Sequence, residues 1–187
     1  MAGLRVIAGK AKGRRLEMVP GDTTRPIPDR VKEALFNIIG IDIRGARFLD
    51  IFSGTGSVGI EALSRGAEWG TFFERDRKAL LTLRNNLKLT QLEQSAEVIP
   101  GDAFQIIANR VAKSFDYLFI APPQYKELWK KTVQALDETT EWMNPDAWAI
   151  VQIHPKEYEA LTLKHLQEFD QRKYGNTLLV FYEFTSE

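Results

Sequence analysis

The sequence predicts an α/β fold, a doubly wound and mostly parallel seven-stranded sheet with a small N-terminal β-hairpin extension. From residue 47 onward, short apolar runs typical of strands alternate with amphipathic runs typical of helices. Such repeated strand–helix units favour a parallel sheet with helices on both faces. Two final strands joined by Gly175-Asn176 add an antiparallel pair to that sheet.

The first elements precede this alternation. Residues 5–8 and 15–19 are predicted to pair as a hairpin through the basic turn at 9–13. Asp29 is predicted to cap a helix, because apolar residues recur at positions 31, 34, 35 and 38 on one helical face. The seven strands of the alternating part are predicted at residues 48–52, 71–74, 97–100, 115–120, 148–153, 167–174 and 177–184. Its helices are predicted at residues 57–65, 77–89, 104–112 and 126–136.

Composition narrows the classes of function. The chain has 187 residues, of which 44% are hydrophobic and 27% charged, as expected for a globular protein with a sizeable core. It has no cysteine, which excludes disulfides, thiolate metal sites and cysteine nucleophiles, and its 2 histidines are too few for a multi-histidine metal centre. No apolar run approaches the roughly 18 residues of a membrane span, and the first residues do not resemble a secretion signal. We therefore expect a cytoplasmic, monomeric protein without a membrane partner or a metal.

Positive charge is concentrated at the start of the chain. Residues 1–32 carry eight basic and three acidic side chains, a net charge of +5, which leaves −5 for the remainder of a chain with no net charge. This asymmetry favours a basic surface that faces a polyanion, although a solvated basic hairpin would show the same pattern.

A glycine-rich turn is the most informative motif. Gly54, Gly56 and Gly59 have the spacing of a dinucleotide-binding turn, and Glu74 follows Gly54 by 20 positions, where a ribose-binding acid is expected. Asp50 argues against a dinucleotide, because a carboxylate at about 4 Å from a pyrophosphate would repel it by roughly 4 kcal/mol at an effective dielectric near 20. The same carboxylate would attract a ligand with an ammonium group. S-adenosylmethionine (AdoMet), with an α-ammonium group, a sulfonium and a ribose, meets that requirement.

Residues that carry chemistry also follow successive strands. Asp50, Glu74 and Asp102 each fall at the carboxyl end of a predicted strand, and Ala121-Pro122-Pro123 follows the fourth strand. Because these strand ends share one edge of a parallel sheet, we expect a single crevice to hold all four.

The proline pair resembles the [Asp/Asn]-Pro-Pro-[Tyr/Phe] motif of methyltransferases that act on amino groups. In that motif a side-chain oxygen and a proline carbonyl accept the hydrogens of an exocyclic base amine, and the aromatic ring stacks on a base splayed out of its helix. This chain has Ala121 in place of the acid or amide and Gln124 in place of the aromatic residue, with Tyr125 one position later. Gln124 and Asp29 are candidates for the missing acceptor.

The chain resembles, nearly end to end, the RsmD-type ribosomal RNA guanine-N2 methyltransferases. The most discriminating element is Arg-Pro-Ile-Pro-Asp-Arg-Val-Lys-Glu at residues 25–33. The other matching elements are Arg-Val-Ile-Ala-Gly at 5–9 with Gly13-Arg14, Leu-Asp-Ile-Phe-Ser-Gly-Thr-Gly at 49–56, Glu-Ala-Leu-Ser-Arg-Gly-Ala at 61–67 and Glu74-Arg75-Asp76. The resemblance implies a Rossmann-like class I methyltransferase domain at residues 25–187, with residues 1–24 as its basic hairpin extension. It also implies AdoMet as cofactor and a guanine N2 amine of small-subunit (16S) ribosomal RNA, free or in an assembly particle, as substrate.

The resemblance further implies roles for individual residues. Those placed around AdoMet are Asp50, Ser53, Gly54 and Gly56 at its methionine part, Glu74 at its ribose, and Arg75, Asp102 and Ala103 at its adenine. Those placed at the reacting amine are Ala121, Pro122, Pro123 and Tyr125. Those placed against RNA phosphates are Arg5, Lys10, Lys12, Arg14, Arg15, Arg25 and Arg30.

Two other functions are compatible with these residues. Ala121 and Gln124 fit a protein of this fold that has lost its chemistry and serves as an RNA-binding or ribosome-assembly factor. The glycine spacing fits a dinucleotide-dependent oxidoreductase, although the chain has no evident hydride-transfer partner. His154, which follows the fifth strand, is interpreted as a structural or solvated residue.

Overall fold

The computed structural model describes residues 3–21, 26–109 and 113–186, and within them alternating strands and helices follow the predicted order. The strands are β1 (Arg47–Asp50), β2 (Trp69–Glu74), β3 (Ala96–Pro100), β4 (Phe115–Ile120), β5 (Met143–Ile153), β6 (Leu166–Tyr174) and β7 (Thr177–Phe184). The α-helices are α1 (Asp29–Ile39), α2 (Ser57–Ser64), α3 (Arg77–Thr90), α4 (Ala103–Asn109) and α5 (Leu128–Glu138). The helix predicted at residues 104–112 corresponds to α4, and its last three residues lie outside the described part of the chain.

The strands form a 7-stranded sheet in the order β3-β2-β1-β4-β5-β7-β6. Strands β1 to β5 are parallel, and β7 pairs antiparallel with both β5 and β6. The predicted doubly wound and mostly parallel sheet is therefore confirmed. Strand order reverses between β1 and β4, and ligands of such sheets bind beyond the carboxyl ends of the strands at this switch point.

Both faces of the sheet are covered, because side chains alternate along each strand. Phe48 of β1 contributes to one apolar core, with α1, α2 and α3, while Leu49 contributes to the other, with α4 and α5. The two helix layers bury the sheet on both sides and leave its carboxyl edge as the place where loops carry functional residues.

The N-terminal segment, residues 3–21, packs against the first of these cores, but it does not form the two predicted strands. Its two arms pair as a short hairpin instead, in which Arg5 and Arg15 make an antiparallel bridge. The Val6 amide donates to the Arg14 carbonyl at 3.0 Å, and the Leu16 amide donates to the Leu4 carbonyl at 2.8 Å. The amides of Ile7 and Ala8 donate to the Glu61 carboxylate at 3.0 and 3.1 Å. The predicted domain boundary falls among residues 22–25, which lie outside the described ranges, and the division into two units stays a prediction.

Helix α1 begins where predicted, but the prediction that Asp29 caps it is wrong. Pro28 occupies the N-cap position, and Asp29 is already the first helical residue. Its carboxylate accepts a hydrogen bond from Arg5 Nε at 3.0 Å, so it ties the helix to the N-terminal segment. Among the residues described, no helix is both long and apolar enough to cross a membrane.

Candidate active site

The residues predicted to share a crevice lie at one edge of the sheet. Asp50 ends β1 and Glu74 ends β2, while Asp102 follows the end of β3 by two residues. Ala121 immediately follows β4, which pairs with β1 so that Asp50 lies opposite Phe119. The structure thus brings the four strand ends together at the switch point, as expected from the sequence.

The glycine-rich turn between β1 and α2 is held by its own backbone. Gly54 and Gly56 have φ angles of 54° and 81°, in the left-handed region that favours glycine. The Gly56 amide donates to the Ser53 carbonyl at 2.8 Å, and the Ser53 hydroxyl donates to the Asp50 carbonyl at 2.8 Å. A Cβ on Gly54 would meet no atom within 4 Å, so this side of the turn is open to a ligand.

Gly56 and Gly59 are required for a different reason, which is packing. A Cβ on Gly56 would lie 2.3 Å from Leu83 of α3, and one on Gly59 would lie 2.4 Å from the Phe72 ring of β2. These two glycines therefore let α2 approach its neighbours closely. The glycine spacing in the sequence therefore has two causes: Gly54 keeps the turn open, and Gly56 and Gly59 allow the close packing of α2.

Asp50 is a buried carboxylate. Its side chain is only 2% exposed, and one oxygen accepts a hydrogen bond from the Gly59 amide at 3.2 Å. Burial raises the pKa of Asp50 to about 7; the Gly59 hydrogen bond opposes this shift, and the nearby charge of Glu74 adds to it. A bound cation would favour the ionised form, so the site has the electrostatic character that a cationic ligand requires.

Glu74 connects the glycine-rich turn to the end of β2. One carboxylate oxygen accepts the Gly54 amide at 2.8 Å, and the other accepts the amides of Arg75 and Asp76, both at 2.9 Å. These hydrogen bonds fix the carboxylate next to the open side of Gly54.

Asp102 caps the short helix α4. Its Oδ1 accepts the amides of Phe104 and Gln105 at 3.0 and 3.2 Å. Its Oδ2 lies 3.5 Å from Arg75 Nη1, in an ion pair between partly and largely exposed side chains. Ala103, the next residue, is buried. Arg75, Asp102 and Ala103 therefore adjoin one another on the β2–β3 side of the site.

The turn after β4 presents an exposed aromatic ring. Pro122 is buried and Ala121 is partly buried, whereas Pro123 and Gln124 are exposed. The Tyr125 side chain is 65% exposed, and its ring centroid lies 5.9 Å from that of His154. Pro122 thus anchors this turn, while Tyr125 is exposed.

A turn after β5, residues 154–157, contacts Tyr125, and sequence reasoning did not identify this contact. His154 Nδ1 accepts the Lys156 amide at 3.1 Å, and Glu157 Oε2 accepts the His154 amide at 3.1 Å, so that they form a capping box. The interpretation of His154 as structural is confirmed. The sequence contains a signal for this turn, because Glu157 follows the cap residue His154 by three positions and Pro155 occupies the first helical position.

A buried group of charges beneath the site was also missed. Lys32 and Glu61 are both 0% exposed, with Lys32 Nζ 3.6 Å from a Glu61 oxygen, and Arg65 Nε lies 2.8 Å from the other oxygen. Lys32 Nζ also donates to the Ser57 hydroxyl at 2.9 Å and to the Arg5 carbonyl at 2.7 Å. Burial lowers the pKa of Lys32, an effect that the Glu61 charge opposes. The group joins α1, the start of α2 and the N-terminal segment.

The basic residues predicted to face RNA are exposed. This holds for Arg5, Lys10, Lys12, Arg14, Arg15 and Arg30, while Arg25 lies outside the described residues. Two of the side chains have partners within the protein: Arg5 pairs with Asp29, and Arg14 Nη1 donates to the Leu89 carbonyl at 2.7 Å. The N-terminal segment therefore presents its charges from a docked position against α3.

The chain is similar to known methyltransferases over most of its length. Residues 4–183 match the family described as "Conserved hypothetical protein 95". A Bacillus subtilis protein with a provisional name as an rRNA methyltransferase is 39% identical over 183 residues, which cover 96% of this chain and 98% of that protein. The Haemophilus influenzae protein named ribosomal RNA small subunit methyltransferase D is 36% identical over 151 residues, covering 80% of this chain and 78% of that protein.

Solved structures agree with the fold. An Escherichia coli structure, provisionally named a methyltransferase, superposes with a TM-score of 0.87 at 28% identity and covers 100% of both chains. An RNA methyltransferase from Salinibacter ruber, solved with S-adenosyl-L-homocysteine, has a TM-score of 0.67 at 15% identity and covers 87% of this chain and 95% of that one. The family match over residues 4–183 and the two relatives confirm the family resemblance. The chain belongs to the RsmD-type family of ribosomal RNA methyltransferases.

Proposed function

We propose that the protein transfers the methyl group of AdoMet to the exocyclic N2 amine of a guanine in small-subunit ribosomal RNA. The observation that carries the proposal is the buried Asp50 carboxylate beside the open side of the glycine-rich turn, at the switch point of the sheet. Family membership supports methyl transfer to ribosomal RNA. A ribosomal RNA substrate places the activity in the cytoplasm, and we expect a monomer to perform it.

The described residues fit AdoMet. Asp50 offers negative charge for the α-ammonium end, Ser53, Gly54 and Gly56 line that end, and Glu74 offers carboxylate oxygens to ribose hydroxyls. Arg75, Asp102 and Ala103 form the remaining wall, for the adenine. When bound, AdoMet supplies an electrophilic methyl group on a sulfonium. The protein contributes mainly by holding the two reactants in line, since the lone pair of a base amine is a weak nucleophile.

The turn after β4 receives the base. We propose that the Tyr125 ring stacks on the extruded guanine and that the carbonyl of Pro122 accepts a hydrogen of the amine, with Ala121 and Pro123 shaping the turn. Ala121 offers no side-chain acceptor. The loss of one charge-assisted hydrogen bond costs about 1.5–3 kcal/mol, or roughly ten- to a hundredfold in rate. We therefore expect a slow enzyme unless Gln124 supplies that acceptor.

A second candidate function rests on the same residue. Without an acceptor at Ala121, the fold would serve as an RNA-binding or ribosome-assembly factor that binds AdoMet or RNA but transfers no methyl group. The two candidates differ in one measurable property, which is incorporation of the methyl group into RNA.

The decisive experiment incubates the protein with radiolabelled AdoMet and small-subunit ribosomal RNA, free or in particles, from cells that lack this methylation. We expect label in a single N2-methylguanine, and we expect the Asp50→Ala variant to incorporate almost none because AdoMet binding is lost. If calorimetry shows that AdoMet binds but the RNA acquires no label, the second candidate is favoured. Failure to bind AdoMet or its demethylated product would exclude both the reaction and the proposed site.

The proposed RNA surface makes a separate prediction. Replacing Lys10 and Lys12 together by alanine removes two exposed charges, and we expect weaker RNA binding with a shallower dependence on salt. The slope of log Kd against log salt should fall by about 1.4 for contacts to single-stranded RNA, at roughly 0.7 per phosphate. Fluorescence anisotropy at several salt concentrations measures it, with AdoMet affinity unchanged.

Lys173 provides the matched control, because it is exposed on β6 at the far edge of the sheet. Lys173→Ala should leave both the affinity and the slope as in the wild type. Equal effects of the two changes would contradict an RNA surface on the N-terminal segment.

A further inference from the structure

Tyr125 has a backbone conformation that its own sequence does not favour. Its φ angle is 60° and that of Glu127 is 54°, so two non-glycine residues close together lie in the left-handed region. Such conformations cost free energy and persist where neighbouring groups enforce them. The Tyr125 ring is largely exposed, so apolar burial does not supply that enforcement.

The neighbouring group that does supply it is the carboxylate of Glu157. Its Oε1 accepts the Tyr125 amide at 2.7 Å, while Oε2 accepts the His154 amide at 3.1 Å. Ile120 pairs with Val151, so the turns after β4 and β5 start from adjacent strands. One side chain therefore connects the backbone of the proposed base-stacking turn to the capping box that follows β5.

His154 adds a second constraint on the Tyr125 ring. The two rings are 5.9 Å apart between centroids, with an interplanar angle of 38°. Because His154 Nδ1 accepts the Lys156 amide, the proton of the neutral imidazole resides on Nε2, and the ring orientation is fixed by the turn. The amide and the ring of Tyr125 are thus both held from the same four-residue segment.

We infer that Glu157 is a positioning residue for methyl transfer, acting through Tyr125 to hold its ring at the strand end where a guanine base would stack. Gln124 separates Tyr125 from the prolines, so the proline pair alone does not place the ring. An aromatic residue directly after the prolines would be positioned by them. Tyr125 is one residue further on, and the hydrogen bond from its amide to Glu157 positions it instead. This inference rests on the proposed function, because it assigns a base to the exposed ring.

A double-mutant cycle tests the inference with the full chain. Stacking of a base on an aromatic ring is worth about 1–3 kcal/mol, so Tyr125→Ala should lower kcat/KM for RNA by about 5- to 150-fold. Glu157→Ala should lower it by at least about tenfold, the equivalent of one hydrogen bond to a charged group, but by no more than Tyr125→Ala does. Glu157→Gln, which keeps one acceptor oxygen, should lose less. In the Tyr125→Ala background, Glu157→Ala should cause no more than about a twofold further loss, because residues that act as a unit are not additive.

Glu159→Ala is the matched control, since Glu159 lies two residues after Glu157 but pairs with Lys130 at 2.8 Å. It should leave kcat/KM unchanged. AdoMet affinity should be similar in all of these variants. Glu157→Ala also removes the capping box and should lower the melting temperature, and if it does not fold, the cycle is run with Glu157→Gln.

The outcomes separate this inference from the proposed function. A wild-type protein that transfers no methyl group overturns both. An active wild type in which Glu157→Ala behaves like Glu159→Ala, or in which the Glu157 and Tyr125 effects multiply, overturns the positioning role and leaves the proposed function standing. The positioning role is supported if Glu157→Ala changes the KM for RNA or kcat and if this change disappears in the Tyr125→Ala background.

Discussion

Replacing Glu61 by alanine is expected to lower the free energy of unfolding by about 3–5 kcal/mol, the usual cost of breaking a buried ion pair from one side. Lys32 would lose the partner charge that opposes the lowering of its pKa by burial, at a site that is 0% exposed, with Ser57 and the Arg5 carbonyl as its hydrogen-bond partners. The amides of Ile7 and Ala8 would lose their acceptor at the same time. Urea unfolding followed by circular dichroism measures the loss.

Two further variants make this prediction specific. Glu68→Ala removes an exposed acid soon after α2 and should change stability by less than about 0.5 kcal/mol. The double variant Lys32→Met/Glu61→Leu removes both buried charges and should recover the part of the loss that comes from the unpaired Lys32. The Ile7 and Ala8 amides still lack their acceptor in this variant, so recovery should be incomplete. A loss below about 1 kcal/mol for Glu61→Ala would mean that solvent reaches Lys32 in solution.

Replacing Asp50 by asparagine is expected to stabilise the ligand-free protein at pH 8. Burial raises the pKa of Asp50 from 3.8 to about 7, so the folded state holds the Asp50 proton more tightly than the unfolded state does. The resulting contribution to stability is complete below pH 4 and is lost as the pH rises through 7. At pH 8 the ionised carboxylate opposes folding by up to about 4 kcal/mol.

Asparagine carries no charge and keeps an oxygen for the Gly59 amide, so the gain should be largest at pH 8 and should shrink as the pH falls towards 5. Thermal unfolding from pH 5 to pH 8 checks this dependence. Asp146→Asn is the control, because Asp146 is exposed and has a φ angle of 63° that asparagine also tolerates. A gain that is independent of pH would contradict the assignment to the Asp50 charge.

The same substitution should weaken AdoMet binding by about ten- to a hundredfold, through loss of a charge-assisted contact of about 1.5–3 kcal/mol. In the wild type, binding of a cation near pH 6.5 should release part of a proton from Asp50, which calorimetry in buffers of different ionisation enthalpy detects. The Asp50→Asn variant should release none. Wild-type affinity in Asp50→Asn would remove Asp50 from the proposed site.

The parts of the fold that sequence reasoning predicted depend on local patterns. Strand β1, the glycine-rich turn and α2 follow one another within residues 47–64, and their order fixes where Asp50 lies. Glu74 and Asp102 could be placed beside it because parallel strands end at a common edge. The predicted N-terminal strands do not form in full because the amides of Ile7 and Ala8 donate to Glu61, a residue about 50 positions later whose role no local pattern reveals.

The missed parts of the site depend on distant side chains in the same way. Glu157 lies 32 positions from the Tyr125 amide that it accepts, and nothing near Tyr125 in the sequence indicates this partner. Lys32 occupies a polar position in an amphipathic segment and reads as a solvated residue, yet it is buried by the N-terminal segment that crosses above it. Hydrophobic periodicity assigns charged residues to the solvent-exposed face, so it does not identify those that are buried in ion pairs.

The docking of the N-terminal segment also sets the order in which the molecule can assemble as it is synthesised. The hydrogen bonds from Ile7 and Ala8 to Glu61, and from Arg14 to Leu89, join residues 53 to 75 positions apart. The first residues made must therefore wait until α2 and α3 have emerged before they find these partners. The last of these partners is Leu89, whereas the proposed AdoMet site also needs Asp102 and Ala103, so a nascent chain can complete its RNA-binding surface before its cofactor site.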